Sequence, residues 1–282
     1  MRLISIIVGM MIAAAGGTLA KAEDTIAFGD CKLTGVAGSI DFKPVKEDTL
    51  TVSAVLPSPG WWNGSTPDNI KSGFEYCLAA QIAYRAGVHH LEVRNMAWDQ
   101  FISGAMTGYD IAMAGVTITE KRKAAMNFSS PYFTSNLGVA VRANSDVTAE
   151  NIRQKRIGVL QGNMGADWVV NVLKPEIQPS AFQGQSEMFT ALLANQVDVV
   201  ITDTTLVLTG TSSSNGMLVV PAQYKLDQSY GIVLPKDSPN KDAVDAAIKD
   251  VADNGTLAQL TTDYLAPMFG GNPDSIPFWE IK

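Results

Sequence analysis

The sequence is poor in the residues most often used for covalent and metal chemistry. Of 282 residues, two are cysteine and two are histidine. His89 and His90 are adjacent in a stretch that reads as a helix-to-strand turn, where neighbouring side chains diverge. No cysteine or carboxylate cluster at ligand spacing accompanies them, so no metal set is expected. There is no Gly-x-Ser-x-Gly nucleophile motif. The strand–turn–helix stretch around Gly162-Asn163-Met164-Gly165 lacks the Gly-Lys-Ser/Thr ending of a phosphate loop. Basic residues are in the minority, 21 against 28 acidic, for a net charge of −7. That balance disfavours binding to nucleic-acid phosphates or anionic lipid.

Long apolar runs are also scarce. The one at the N-terminus, Leu3 to Ala15, follows Met1-Arg2 and precedes Ala20-Lys21-Ala22. A basic start, a short apolar core and a small-x-small site read as a secretory signal peptide spanning 1–22 and cut after Ala22. The run is shorter than a membrane span needs. Cleavage removes Arg2 and Lys21, leaving 19 basic and 28 acidic residues and a net charge of −9. Export would place Cys31 and Cys77 in an oxidising compartment, where an even pair suggests a disulfide. It would close a loop of about 45 residues and contribute roughly 2–4 kcal/mol. The alternative is two buried thiols.

What is present is alternation of strand and helix. Leu50 to Leu56 reads as a buried strand. A long Pro-, Gly- and Ser-rich loop follows, with Trp61 and Trp62 at its centre. Ser72 to Gly87 reads as a helix, with a Ser72–Glu75 capping box and Gly87 as its stop. Leu91 to Val93 starts a second strand, and Trp98-Asp99 opens a helix running through Met106. Segments 111–114, 136–142, 156–161, 197–201, 217–220 and 230–235 read as further strands, and 166–173, 187–196, 241–252 and 256–265 as helices. Such alternation implies a parallel sheet with helices on both faces and ligands beyond the strands' carboxyl ends. Residues 23–48 carry no clear periodicity; they are expected to be held to the rest of the chain by Cys31. Phe269, Phe278 and Trp279 suggest that part of the tail docks.

The run from Asp110 to Phe133, DIAMAGVTITEKRKAAMNFSSPYF, says most. It offers a strand end, the bare backbone of Gly115, the hydroxyl of Thr117, and Thr119 as cap of a short turn carrying Lys121, Arg122 and Lys123. A guanidinium beside strand-end N–H groups suits a carboxylate. By charge pattern alone, Arg122 reads as one of three cations on a solvated face.

AGVTITEKR followed by NFSSPYF resembles the signature of the periplasmic amino-acid-binding proteins of ABC importers. GFEYCLAAQIAYRAGV, WDQFISGAMTGYDIAMAGV and NQVDVVITD extend the resemblance from about Leu50 to Leu265. It implies an α/β, two-lobed periplasmic-binding-protein fold of type II, with a cleft between lobes joined by two hinge strands. Lobe 1 would comprise 23–140 plus 231–282, and lobe 2 141–230. It also implies that Gly115, Thr117 and Arg122 hold a ligand carboxylate, with the Asn163–Met164 turn donating from the other side. Asp203 would hold the ammonium, and Trp61 or Trp62 would stack on the ligand side chain. Two departures stand out. Cys77 replaces an acidic residue common in the family, and Asn163 and Met164 replace its usual Ser or Thr. Taken alone, Asp203 could cap the next turn, and one tryptophan could simply cover an apolar edge.

The expected function is thus capture of an amino acid or related zwitterion by lobe closure and delivery to a membrane permease. The expected protein is a monomer without cofactor. The strand end near Leu56 carries no carboxylate, so a ligand that is not strongly basic is expected. The competing function is a dehydratase of the arogenate or prephenate class on the same fold, which would need a general acid or base in the cleft.

Overall fold

The computed structural model describes residues 26–270 and 273–281; the expected signal peptide and its cleavage site lie outside the described residues. Among the described residues no helix is long and apolar enough to cross a membrane.

The first strand, β1 (Thr49–Ala54), is buried at every position. Leu50, Val52 and Ala54 join the core under α1, and the alternating Thr49, Thr51 and Ser53 are buried as well, so the strand has no solvent side. It pairs in parallel with β2 (His90–Asn95) and β3 (Ile111–Met113). Between β1 and β2 runs α1 (Phe74–Ala86), which is buried on nearly all sides. Gly87 ends it in the left-handed region at φ 72°, as its lack of a side chain permits. Then come α2 (Trp98–Ser103), which stops at Gly104, short of the expected Met106, and α3 (Glu120–Lys123).

Two long strands follow in place of the separate short ones expected: β4 (Asn127–Arg142) and, later in the chain, β8 (Leu218–Leu234). They run antiparallel beside each other along almost their whole lengths. Register shifts between Phe128 and Phe133 and between Ser135 and Leu137 let them bend without breaking the ladder. Between them lie β5 (Ile157–Leu160), α4 (Met164–Trp168, continuing to Leu173 as a wider π turn), β6 (Ser180–Phe182), α5 (Gln185–Leu193), β7 (Val199–Asp203) and α6 (Thr204–Ser212). The sheet order is β2-β1-β3-β8-β4-β7-β5-β6. The expected all-parallel arrangement is therefore a mixed one. β1, β2 and β3 are parallel at one end and β5, β6 and β7 at the other, and the antiparallel pair β4–β8 crosses between them. Gly138 of β4 has no room for a side chain. A Cβ there would lie 2.1 Å from Val207, so α6 sits directly on the crossing strand.

α7 (Lys241–Asp253), α8 (Thr256–Leu260, continuing as a π turn to Leu265) and α9 (Ala266–Phe269) close the chain. α7 and α8 pack on α1, while α9 reaches α6. The N-terminal extension lies along α1. Its contacts are the Cys31–Cys77 disulfide, Thr34 to Gln81, and backbone bonds from Gly38 and Ile40 to the end of the helix. Arg85 of α1 is buried and bonded to Asp250 of α7. The tail docks on β8. Gln223 exchanges bonds with Pro277 and Trp279, and the Trp279 ring meets that of Tyr224 at 6.3 Å, whereas Phe278 is largely exposed.

Two local expectations fail. The Ser72–Glu75 capping box does not form: Gly73 is the cap position, Ser72 accepts from Asn63, and Glu75 turns into the core. The two histidines do not diverge either. His89 and His90 approach the same carboxylate, Asp48, at 2.8 and 3.9 Å.

Candidate functional site

Thr119 caps α3 through its hydroxyl, which accepts the Arg122 backbone N–H at 3.1 Å. That cap turns the Arg122 side chain inward, and the residue is buried, unlike exposed Lys121 and Lys123. The guanidinium donates to Thr117 O at 2.8 Å and to Gly162 O at 2.9 Å. The first acceptor belongs to its own segment and the second to the β5–α4 turn on the far side of the cleft. Burial lowers the Arg122 pKa below its usual value, opposed mainly by the field of Asp203.

Asp203 ends β7 and is buried. It stands at the cap position of α6 but makes no capping bond. Its carboxylate instead accepts the Tyr230 hydroxyl at 2.6 Å and the Gln228 amide at 2.9 Å. Burial raises its pKa, while Tyr230, Gln228, Asn163 and the Arg122 charge hold it down. Gln228 also accepts from the Thr117 hydroxyl at 2.8 Å. A continuous chain, Thr117–Gln228–Asp203–Tyr230, thus links the Arg122 segment to Asp203, and Thr205 extends it by a 3.1 Å contact with the Tyr230 hydroxyl.

Gly115 has φ 57°, and its N–H is taken by Glu75 at 2.8 Å. Glu75 also accepts from the Trp62 indole at 2.6 Å and from the Tyr132 hydroxyl. Burial raises its pKa against these three donors. Trp62 is therefore a structural partner of Glu75 and is wholly buried. Trp61 packs edge-on against Phe74, Phe133 and Tyr230, with centroids 5.3 to 6.0 Å apart, and among the described residues its indole N–H has no acceptor.

A cavity of about 610 Å³ lies between the two halves. Trp61, Gly115 and Asn163 of the expected set line it, together with segments 55–58, 95–98 and 183–187. Arg122, Thr117, Asp203, Trp62 and Met164 are not in its wall. Asn163 is buried and caps α4, accepting the Gly165 N–H at 2.7 Å; half-buried Met164 begins that helix. The lining is mostly apolar and amide, with Glu187 its one ionisable side chain.

The chain matches the model of the bacterial extracellular solute-binding proteins, family 3, over residues 63–267. It belongs to that family. It is 28% identical over 202 residues to a probable histidine-binding protein of Neisseria gonorrhoeae, covering 69% of this chain and 75% of that one. It is 26% identical over 202 residues to the L-cystine-binding protein TcyJ of Escherichia coli, covering 69% and 74%. Among solved structures, an ancestral arginine-binding protein bound to arginine superposes with a TM-score of 0.69 at 27% identity, covering 77% of this chain and 98% of that one. The two-lobed solute-binding fold follows from this match, and the family makes the chain a binding protein rather than an enzyme.

Sequence reasoning missed Glu75, Gln228, Tyr230, Thr205 and Trp98. Glu75 had been read as a helix cap. The others carried no local signal, because each acts across the crossing strands or the cleft. The alternation of Gln228 and Tyr230 on β8, both facing Asp203, is the one pattern that could have marked them.

Proposed function

We propose that this protein is the extracytoplasmic binding component of an ABC importer, which captures an α-amino acid or related small zwitterion and delivers it to a membrane permease. The observation that carries the reading is the pairing of a buried guanidinium, Arg122, with a buried carboxylate, Asp203, on segments that meet across the cleft. A zwitterion needs both signs about one amino-acid backbone apart. In the proposed division, Arg122 belongs to lobe 1 (23–140 and 231–282) and Asp203 to lobe 2 (141–230). Only closure then engages both, so the ligand stabilises the closed form by differential binding.

Arg122 holds the ligand carboxylate by exchanging Gly162 O for a carboxylate oxygen, with the Thr117 segment beside it. Asp203 keeps its bonds from Gln228 and Tyr230, which fix its orientation, and offers the remaining lone pairs of its two oxygens to the ammonium. The Gly115 N–H contributes indirectly: Glu75 holds it, and so fixes the loop. Trp61 and Asn163 face the ligand from the cavity wall. The wall near Leu56 carries no carboxylate, which supports a ligand whose side chain is not strongly basic; Glu187 is the one lining group that would instead draw a basic side chain. A mature monomer cut after Ala22 and resident in the periplasm completes the reading.

A thermal-shift screen of the twenty amino acids, cystine and small quaternary amines, followed by calorimetry on the hits, tests it. A ligand at 100 times its Kd should stabilise the fold by about 2.7 kcal/mol. No shift with any of them would remove the assignment.

A further inference from the structure

Trp98 opens α2 on the same side of the cleft as Arg122, and its indole N–H donates to Gln161 O at 2.8 Å. The next carbonyl, Gly162 O, accepts from Arg122. Two successive carbonyls of the β5–α4 turn are thus held by two donors from α2 and α3. Both sides of this contact are fixed in advance. The Trp98 ring stacks on Phe101, centroids 6.2 Å apart, and the Arg122 guanidinium carbon lies 5.7 Å from the Trp98 ring centroid. On the other side, Gln161 N is bonded to Phe182 O and Asn163 N to Leu160 O, while Gly162 sits at φ 71°. The approach is close: a Cβ on Gly162 would lie 2.3 Å from Ile102 Cδ1.

We propose that Trp98 is a positioning residue for closure, its indole N–H latching the Gln161–Gly162 turn of one lobe to the other. The two halves of the latch differ. A ligand carboxylate arriving at Arg122 replaces Gly162 O, whereas nothing in that exchange touches the Trp98–Gln161 bond. Trp98 therefore holds the lobes together both before and after loading. Before loading, it sets the share of protein that is open to ligand, which scales the apparent affinity. After loading, it acts on escape, because a ligand sealed between lobes leaves only when they part. The effect on ligand escape rests on the binding function proposed above; the latch itself does not.

Trp98→Phe tests the latch. It keeps an aromatic ring on Phe101 and removes the N–H together with the second ring of the indole. Spin labels on Lys121→Cys and Thr190→Cys, both exposed positions, report the spacing across the cleft, and the protein's two native cysteines are already bonded to each other. In protein without ligand, Trp98→Phe should shift the label distances to longer values. For any amino acid that binds, Trp98→Phe should raise the dissociation rate about three- to tenfold, and the association rate should rise in proportion to the larger open share. Ligand-free distances identical to those of the parent protein in Trp98→Phe would overturn the proposal. If no amino acid bound even the parent protein, the binding function would fail, while the label distances would still decide the latch.

Discussion

Asp203→Asn separates a binding carboxylate from a structural one. The substitution is nearly isosteric, and the new amide can still accept from the Tyr230 hydroxyl or from Gln228, which donate now at 2.6 and 2.9 Å. What it loses is the charge facing the ligand ammonium. A hydrogen bond to a charged group contributes about 1.5–3 kcal/mol, so affinity should fall roughly 10- to 150-fold. The fold should not suffer. Burial holds the Asp203 pKa above its unfolded value, so the folded state binds its proton more tightly than the unfolded chain does. The stability this group contributes is therefore fully present below the unfolded pKa, and is lost as pH rises through the folded one. At neutral pH, replacing the desolvated carboxylate by an amide should leave the Tm unchanged or raise it, and the difference from the parent protein should shrink in acid. Calorimetric titration with a ligand from the amino-acid screen, beside melting curves from pH 3 to 8, reads both effects. A folded Asp203→Asn protein with parental affinity would refute the ammonium assignment. A large drop in Tm at neutral pH would show that the charge itself holds the fold.

Three further outcomes are expected. Arg122→Ala should abolish measurable amino-acid binding while the protein stays folded, as calorimetry and circular dichroism would show; near-parental affinity would remove Arg122 from the site. Glu75→Leu leaves the Trp62 indole, the Tyr132 hydroxyl and the Gly115 N–H without their acceptor, each at a cost of about 1–3 kcal/mol, so denaturant unfolding should show a loss of several kcal/mol. An unchanged midpoint would mean that water readily replaces the carboxylate. Cys31→Ser with Cys77→Ser opens a loop of sequence separation 46, for which the chain-entropy relation gives about 4 kcal/mol. A loss well below that would show that the bonds from Thr34, Gly38 and Ile40 already fix the extension on α1.

The chain itself settled what depends on neighbours in sequence. Thr119 capping the turn of Arg122, Gly87 ending its helix, and the all-buried run at β1 are written locally, because caps, left-handed stops and burial periodicity need only a few adjacent residues. The family signature around Gly115 to Arg122 was legible for the same reason. Tertiary structure alone decided which donors meet which acceptors. Glu75 fits a capping pattern, yet it is drawn into the core because the loop carrying Trp62, the Gly115 turn and Tyr132 of β4 converge there from three distant segments. Arg122 reads as a free cation, yet its guanidinium lies on a carbonyl 40 residues away. Gln228 and Tyr230 reach Asp203 only because β8 runs antiparallel to β4, which carries β7 on its other side. Such pairings are set by the order of strands in the sheet, and strand order is a long-range balance of burial and chain connectivity that no local pattern encodes.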